Sequence, residues 1–237
     1  MQLRIHIHLQ EPFGIPLNYN HQLQSAIYAK LAQTENGSIW HDYGFGQYNN
    51  EFKAFVFGSI AGNYRISGKQ ICFTDSMEIE VRSPIFRFID DLQRSFELQP
   101  SLHLFNTTFA IDEMQVSNLH LNRTQALFQT ASPVIVRNVL PDGSTVYYSP
   151  DDAAFVPALT NNFRRKYETV CKSPAGAVSV IPVGQHKKTV TQYKGLWITA
   201  YSGKYEISGS PKELEFIYNT GLGIKNAQGF GMLNLAE

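Results

Sequence analysis

The sequence predicts an α+β fold made of two tandem halves, each with the element order strand, helix, strands, helix, strand. Strand-like and helix-like periodicities follow one another in this order twice along the chain. The 237 residues suffice for two units of about 100 residues each, and 43% of them are apolar, enough to fill two cores. This order is the plan of the ferredoxin-like (RRM-like) domain with an antiparallel sheet. We therefore expect two domains, at residues 1–118 and 119–237.

The first half opens with a strand and a helix. Residues Leu3–Leu9 alternate apolar and polar side chains, which is typical of a half-buried strand. A helix follows, with Leu23, Ile27 and Leu31 on one stripe, and a second helix is expected after Pro84. Further strands of this half are predicted at Lys53–Ile60, Tyr64–Thr74, Met77–Arg82, Ser101–Phe105 and Thr108–Val116.

The second half repeats this order less clearly, and no repeat is visible at the level of single residues. Ala126–Val136 is strand-like, with Val146–Tyr148 as its expected hairpin partner. The remaining elements are predicted, in chain order, as a helix at Asp151–Val170, a strand pair within Gly195–Ile207, a helix at Pro211–Thr220 and a closing strand at Gly229–Leu235. The duplication is thus inferred from element order alone.

Charge is spread unevenly along the chain. Basic and acidic side chains both number 20, but residues 1–118 hold 8 basic and 12 acidic ones, whereas residues 119–237 hold 12 and 8. Because phosphate contacts from Lys and Arg supply most non-specific nucleic-acid affinity, RNA binding would rest mainly on the second half. A solvated surface is the alternative interpretation of the same residues. The candidates for phosphate contact in this half are Arg137, Arg164, Arg165, Lys187 and Lys188.

The two cysteines, Cys72 and Cys171, lie far apart and lack the spacing of a metal site. Two reduced, partly buried thiols in the cytoplasm are the preferred interpretation over a single disulfide. The N-terminal segment lacks the continuous apolar centre of a signal peptide, and no apolar run approaches the roughly 18 residues that cross a bilayer. The sequence therefore predicts a cytoplasmic protein that does not use a membrane as partner.

The sharpest local motif is a glycine-rich segment near the C-terminus. From Gly221 to Gly231, four glycines bracket a polar turn that holds one cation, Lys225. Glycine permits positive φ and removes side-chain bulk, so backbone N–H groups can approach an anionic chain closely. The motif is not a dinucleotide fingerprint, because a helix precedes it and a strand follows it. The alternative is purely structural, namely a helix C-cap at Gly221 followed by a glycine-rich hairpin.

This glycine-rich loop resembles the signature of the CRISPR repeat-processing endoribonucleases of the RAMP superfamily. Four further segments are similar to that family in the expected order: Tyr19–Gln22, Ile27–Tyr28, Trp40–Asp42 and Ser132–Val136. The resemblance implies that CRISPR repeat RNA is the partner and that its own 2′-OH attacks the adjacent phosphate, leaving a 2′,3′-cyclic phosphate and a 5′-OH. No metal or other cofactor is implied, because the nucleophile belongs to the substrate.

The resemblance also implies roles for individual residues. His41 would be the general base or acid, because an imidazole exchanges protons near neutral pH. Lys53 would stabilise negative charge on the phosphate in the transition state, and Tyr28 would donate a hydrogen bond or position the phosphate. The loop residues expected to contact RNA are Gly221, Gly223, Lys225, Asn226, Gly229 and Gly231.

Several alternatives stay open at this stage. A RAMP-fold subunit that holds RNA inside a CRISPR interference complex without cutting it would share the fold and the loop, and an unrelated ferredoxin-like enzyme or small-molecule module would share the fold alone. Other subunits of such a complex, and a second copy of the chain in a homodimer, are further candidate partners. His6, His8 and His21 compete with His41 for the catalytic role.

Overall fold

The computed structural model of the chain describes residues 1–42 and 52–236, apart from the side chains of Ser38, His41 and Asp42. Within this range none of the helices is long and apolar enough to cross a membrane. Both cysteines are free thiols; Cys72 is partly buried and Cys171 is exposed, so the expectation that both are partly buried fails for Cys171.

The first half is built on a four-stranded antiparallel sheet. Its elements are β1 (Gln2–His8), β2 (Phe13–Pro16), α1 (Asn20–Leu31), α2 (Gly37–Asp42), β3 (Val56–Phe57), β4 (Tyr64–Ser67), β5 (Gln70–Phe73), β6 (Ser76–Arg82), α3 (Phe86–Leu98), β7 (Ser101–Leu104), β8 (Thr107–Ala110) and β9 (Glu113–Ser117). The strand order of the main sheet is β3-β6-β1-β9. Alternate residues Leu3, Ile5 and Ile7 of β1 share one core with Leu23 and Ile27 of α1, which confirms the strand and helix predicted at the start of the chain.

The second half has the same topology. Its elements are β10 (Gln125–Thr130), β11 (Arg137–Val139), β12 (Thr145–Tyr147), α4 (Phe155–Cys171), β13 (Ser179–Tyr193), β14 (Leu196–Ser208), α5 (Pro211–Thr220) and β15 (Leu233–Leu235), with a short 3-10 turn at Asn226–Gln228. The sheet order is β13-β14-β10-β15. If the four strands of each main sheet are numbered in chain order, both sheets have the spatial order second, third, first, fourth. The predicted pair of ferredoxin-like sheets is therefore confirmed.

Several local predictions were wrong. The expected partner of the Ala126–Val136 strand, around Val146, pairs with β11 instead. Gly195–Ile207 is not a strand pair: β14 is a single strand, whose partner β13 was missed because Pro182 and Gly184 interrupt its pattern. Helix α4 begins at Phe155 rather than at the acidic residues before it.

Strand β3 is also much shorter than the Lys53–Ile60 segment predicted for it, since only Val56 and Phe57 pair with β6. Lys53 consequently precedes the strand and is not part of the sheet. In contrast, α5 has the predicted bounds. Its first turn carries a capping box between Ser210 and Glu213, with Pro211 at the first helical position, so its start is encoded locally.

Candidate nucleic-acid interface

A cleft of about 1010 Å³ lies between the two halves. Its first wall comes from α1 and from the segment at residues 52–53, and its second wall comes from β11 and α4. The glycine-rich loop, through residues 223–228, forms the floor. The cleft is thus assembled from segments that are far apart in the sequence.

The cleft brings together catalytic and RNA-binding candidates that the sequence placed in separate halves. Those that line it are Tyr28, Lys53, Arg137, Arg165, Gly223, Lys225 and Asn226. The lining thus holds four basic side chains of these candidates and the buried amine of Lys166 against one carboxylate, that of Glu168. A concave surface with this charge balance attracts a polyanion such as an RNA backbone.

Tyr28 lies on α1, and its ring contacts Phe55 edge to face with the ring centres 5.7 Å apart. Burial, and secondarily the neighbouring Tyr193, raise the pKa of the Tyr28 phenol. The phenol therefore keeps its proton at neutral pH, which makes it a hydrogen-bond donor and not a base. Lys53 is half-buried at the same side of the cleft. These two groups suit phosphate positioning and charge stabilisation.

His41 is the penultimate residue of α2, and its side chain lies outside the described part of the structure. The helix that carries it is anchored to α3. The buried carboxylate of Asp91 accepts hydrogen bonds from the Trp40 indole at 2.8 Å and from the Asn36 amide at 3.0 Å. The Trp40 ring also packs edge to face on Phe88, with a centre-to-centre distance of 5.4 Å. The backbone just before His41 is thereby held in place.

The competing histidines occupy other positions. His6 and His8 lie on β1, where the strand pairs with β6. The ring of His21, at the start of α1, lies edge-on to Tyr193 with the centres 5.8 Å apart. Among the described cleft-lining residues there is no histidine.

The glycine-rich loop starts as a helix cap and then folds into the protein. The Gly221 N–H donates to the carbonyl of Ile217, which ends α5 and agrees with the structural interpretation of this glycine. Gly223 has a φ of +72°, and a Cβ atom there would lie 2.4 Å from the carbonyl oxygen of Ile135. At Gly229, φ is +86° and a Cβ atom would lie 2.6 Å from the Phe57 ring. These positions require glycine because of packing as well as conformation.

The loop also joins the two halves. The side-chain amide of Gln24 donates to the carbonyl of Ala227 at 2.7 Å, and that of Asn20 donates to the carbonyl of Gln228 at 3.0 Å. Both donors belong to α1 of the first half, while the acceptors belong to the loop. The floor of the cleft is therefore fixed relative to the helix that carries Tyr28.

Lys166 anchors the loop from the other side, and the sequence analysis missed it. Its side chain is buried, and its Nζ donates to the carbonyls of Gly221 at 2.6 Å and Gly223 at 3.2 Å and to Oδ1 of Asn226 at 3.0 Å. Burial lowers the pKa of Lys166 to about 7. A usable signal existed, because Lys166 falls three residues after Phe163 on the apolar stripe of α4.

Asn226 completes this arrangement. Its side-chain amide donates to the carbonyls of Leu222 at 3.1 Å and Phe230 at 3.0 Å, so the loop is closed on itself around this residue. Lys225 is the more accessible of the two predicted polar contacts. Its Nζ donates to Oε1 of Gln228 at 3.1 Å, and its pKa is lowered by burial and by the positive charge of Arg137.

Other predicted RNA contacts lie elsewhere. Of the adjacent arginines on α4, Arg165 lines the cleft and Arg164 does not, and Lys187 and Lys188 lie on β13 outside it. Gly221, Gly229 and Gly231 support the loop from within and are likewise absent from the described lining.

Two ferredoxin-like halves, with a basic cleft between them and a glycine-rich loop as its floor, define a RAMP-type protein. Residues 115–235 match the family model for CRISPR associated protein Cas6, C-terminal. The chain belongs to the CRISPR-associated Cas6 family.

Individual relatives agree with this assignment. The CRISPR-associated endoribonuclease Cas6 1 of Methanocaldococcus jannaschii is 24% identical over 241 residues, which cover 98% of this chain and 92% of the relative. The solved structure of a Cas6-related gene product from Pyrococcus furiosus superposes with a TM-score of 0.86 at 22% identity, covering 100% of this chain and 98% of the other. A RAMP protein binding different RNA substrates superposes with a TM-score of 0.85 at 22% identity and full coverage of both chains, 100% in each case. These likenesses establish a common fold.

Proposed function

We propose that this protein is a metal-independent endoribonuclease that cuts precursor CRISPR RNA within its repeats. In this proposal residues 1–118 carry the catalytic groups and residues 119–237 carry the RNA-binding loop. The observation that carries the proposal is that Tyr28 and Lys53 of the first half share one cleft with Arg137, Arg165 and Lys225 of the second. Membership of the Cas6 family, with relatives named endoribonucleases, supports the choice of RNA substrate.

The reaction follows from the chemistry of RNA. The 2′-oxygen forms a bond to the adjacent phosphorus while the bond from phosphorus to the 5′-oxygen breaks. The proton of the 2′-OH must be removed, and the 5′-oxygen must gain one. In this proposal His41, the penultimate residue of α2, serves one of these transfers, because an imidazole is suited to both. Because the nucleophile is part of the substrate, no metal-activated water is needed.

The cleft residues act on the phosphate. Lys53 offsets the negative charge that develops on the non-bridging oxygens, and this stabilises the transition state more than the ground state. Tyr28, whose raised pKa keeps its phenol protonated, donates a hydrogen bond to the same phosphate. Arg137, Arg165 and Lys225 contact flanking phosphates and hold the RNA across the floor of the cleft.

The decisive experiment uses two versions of a labelled repeat RNA in the presence of EDTA. One version is natural, and the other carries a 2′-deoxy sugar at the nucleotide before the cut. We expect the natural RNA to be cut to a 2′,3′-cyclic phosphate and the deoxy RNA to bind without being cut. A requirement for metal, or cutting of the deoxy RNA, would contradict the mechanism. Binding of both without cutting would indicate the alternative function, a non-catalytic RNA-binding subunit.

The neighbouring arginines of α4 provide a matched test of the RNA path. Arg165→Glu places a negative charge in the cleft lining, whereas Arg164→Glu makes the same change next to it. We expect Arg165→Glu to weaken binding of the deoxy RNA at least about ten-fold and to reduce its salt dependence, with a much smaller effect of Arg164→Glu. Equal effects of the two substitutions would mean that RNA binding depends only on the overall charge of the protein.

A further inference from the structure

The outer part of the β13–β14 hairpin has one buried face and one open face. Its buried face packs Tyr193, Ile198 and Ala200 against Ile135 and Phe230, the last of which belongs to the glycine-rich loop. Since directly opposed residues in an antiparallel pair lie on the same face, the pairing of β13 with β14 defines the residues of the other face. These are Lys188, Val190 and Gln192 on β13 and Trp197, Thr199 and Tyr201 on β14.

Trp197 dominates this open face. Its side chain is 66% exposed, and Val190 on the same face is 54% exposed. A tryptophan with this much exposure contributes little to the stability of the fold, because it buries only a minor part of its apolar surface. Its indole face is therefore available to a ligand.

The charge around Trp197 favours a polyanion. Between residues 187 and 202 the hairpin contains three lysines and no Asp or Glu. Lys188 lies on the open face, and Lys194 lies in the two-residue turn, where Lys194 and Gly195 both have positive φ. Burial raises the pKa of Tyr201, and the negative charges of Asp152 and Asp151 at the far end of the face raise it further. Lys188 is paired with Tyr201 and lies at this far end, whereas Lys194 and Trp197 lie at the tip.

The tip is continuous with the cleft. Arg137, which lines the cleft, is paired with Tyr147 across the β11–β12 ladder. The Tyr147 hydroxyl in turn donates to the backbone carbonyl of Trp197 at 3.3 Å. These two contacts link the cleft wall to the backbone of Trp197 from the buried face of the hairpin, and the indole lies on the opposite face of β14. An RNA strand that leaves the cleft past Arg137 must pass round the hairpin tip, where Lys194 lies in the turn, to reach the open face.

We propose that Trp197 is a stacking site for an unpaired nucleotide of the bound RNA, with Lys194 of the adjacent turn contacting the backbone beside it. The inference rests on the proposed function, since it adds a second contact to RNA already held in the cleft. Base stacking on an aromatic side chain tolerates any base, because each base has a π-face, and it is characteristic of proteins that bind single-stranded RNA. The site would hold the RNA outside the scissile position and would contribute to affinity without entering the chemistry.

The test measures binding of the non-cleavable 2′-deoxy repeat RNA by three variants. Trp197→Ala is expected to raise Kd roughly 5- to 150-fold, the range found for the loss of one stacked base. Trp197→Phe keeps an aromatic face and is expected to bind within a few-fold of the original protein. Leu196→Ala is the matched control, because Leu196 is 68% exposed but alternates to the opposite face of the strand. It is expected to bind normally.

Two further readouts separate stacking from a structural effect. The chain has two tryptophans, so RNA binding should change its fluorescence, and Trp197→Phe should remove most of that change while it still binds. A set of RNAs, each with one abasic nucleotide, should identify one position at which the missing base weakens binding by the original protein. At that position the missing base should not weaken binding by Trp197→Ala any further. Full affinity of Trp197→Ala, together with normal cutting, would overturn the stacking site and leave the proposed function intact. A protein that bound no repeat RNA would overturn both.

Discussion

The guanidinium of Arg82 lies 3.7 Å from the centre of the Tyr218 ring, and this contact joins the two halves of the molecule. Arg82 ends β6 of the first sheet, is fully buried, and donates to the carbonyl of Leu233 at 2.5 Å and to Oδ1 of Asn234 at 2.6 Å. Both acceptors belong to β15, the closing strand of the second sheet. The two halves thus share a polar and aromatic connection away from the cleft.

Replacing this arginine should destabilise the protein strongly. In Arg82→Met the buried carbonyl of Leu233 loses its donor and Glu80 loses its 2.5 Å ion pair. Removing one member of a buried, hydrogen-bonded charge pair costs about 3–5 kcal/mol, and we expect that loss in the free energy of unfolding by urea. Arg4→Met is the control, because Arg4 contacts the same Glu80 from a side chain that is 40% exposed. Its cost should stay below about 1 kcal/mol.

The pH dependence of stability should reveal Lys166. Burial lowers its pKa in the folded protein from 10.5 to about 7. Below about pH 7 the amine is charged in both states, so the cost of burying that charge is fully present. As the pH rises from 7 towards 10.5, the folded protein gives up its proton before the unfolded chain does, and the free energy of unfolding rises. We expect a gain of about 2 kcal/mol between pH 7 and pH 9.

The control for this gain is Lys166→Met, measured by urea unfolding at the same pH values. Other titrating groups contribute equally to both proteins, so the difference between the two profiles isolates Lys166. The variant should also be less stable at pH 9, because the neutral amine still has two N–H donors for the oxygen acceptors of the loop and methionine has none. Lys212→Met, an exposed change on α5, should leave the profile unaltered. Parallel profiles for the original protein and Lys166→Met would show that this amine titrates normally.

Two glycines with positive φ should respond differently to alanine. Gly223 and Gly143 have similar φ values of +72° and +82°. A Cβ atom at Gly223 would lie 2.4 Å from the Ile135 carbonyl oxygen, whereas a Cβ atom at Gly143 would have nothing within 4 Å. The backbone strain of about 1–2 kcal/mol is common to both. Gly223→Ala should therefore cost clearly more than Gly143→Ala in thermal or urea unfolding, by about 2 kcal/mol. Equal costs would mean that the loop moves to accept the methyl group.

His41→Ala is expected to abolish cleavage and spare binding. Removing one general acid or base group typically lowers the rate ~10²–10⁴-fold, while RNA affinity is spread over many phosphate contacts. Single-turnover cleavage and a binding titration on the same RNA measure the two effects separately. Tyr28→Phe and Lys53→Met should reduce cleavage less if these residues only position the phosphate or stabilise its charge. A His41→Ala protein that cuts within a few-fold of the original would redirect the assignment to His21, His6 or His8.

The amino-acid sequence alone determined the features that depend on near neighbours in the chain. The alternation in β1 and the apolar stripe of α1 were enough to predict both elements, because each pattern repeats within a few residues. The bounds of α5 followed from Pro211 and the break at Gly221. The glycine-rich motif was likewise recognisable from the sequence alone, because its glycines lie close together between Gly221 and Gly231. His41 keeps its role as a prediction from resemblance.

Tertiary structure decided which residues meet. Periodicity cannot distinguish Arg164 from Arg165, yet only the second of them lines the cleft. Periodicity also could not pair β13 with β14, since the alternation along one strand does not identify the strand with which it pairs. Lys166 belongs to a basic run that resembles a solvated surface, but the loop 55 residues further along covers it and supplies its hydrogen-bond acceptors. Burial is a property of contacts between distant segments, and for that reason the anchor of the proposed RNA-binding loop became visible only in the folded chain.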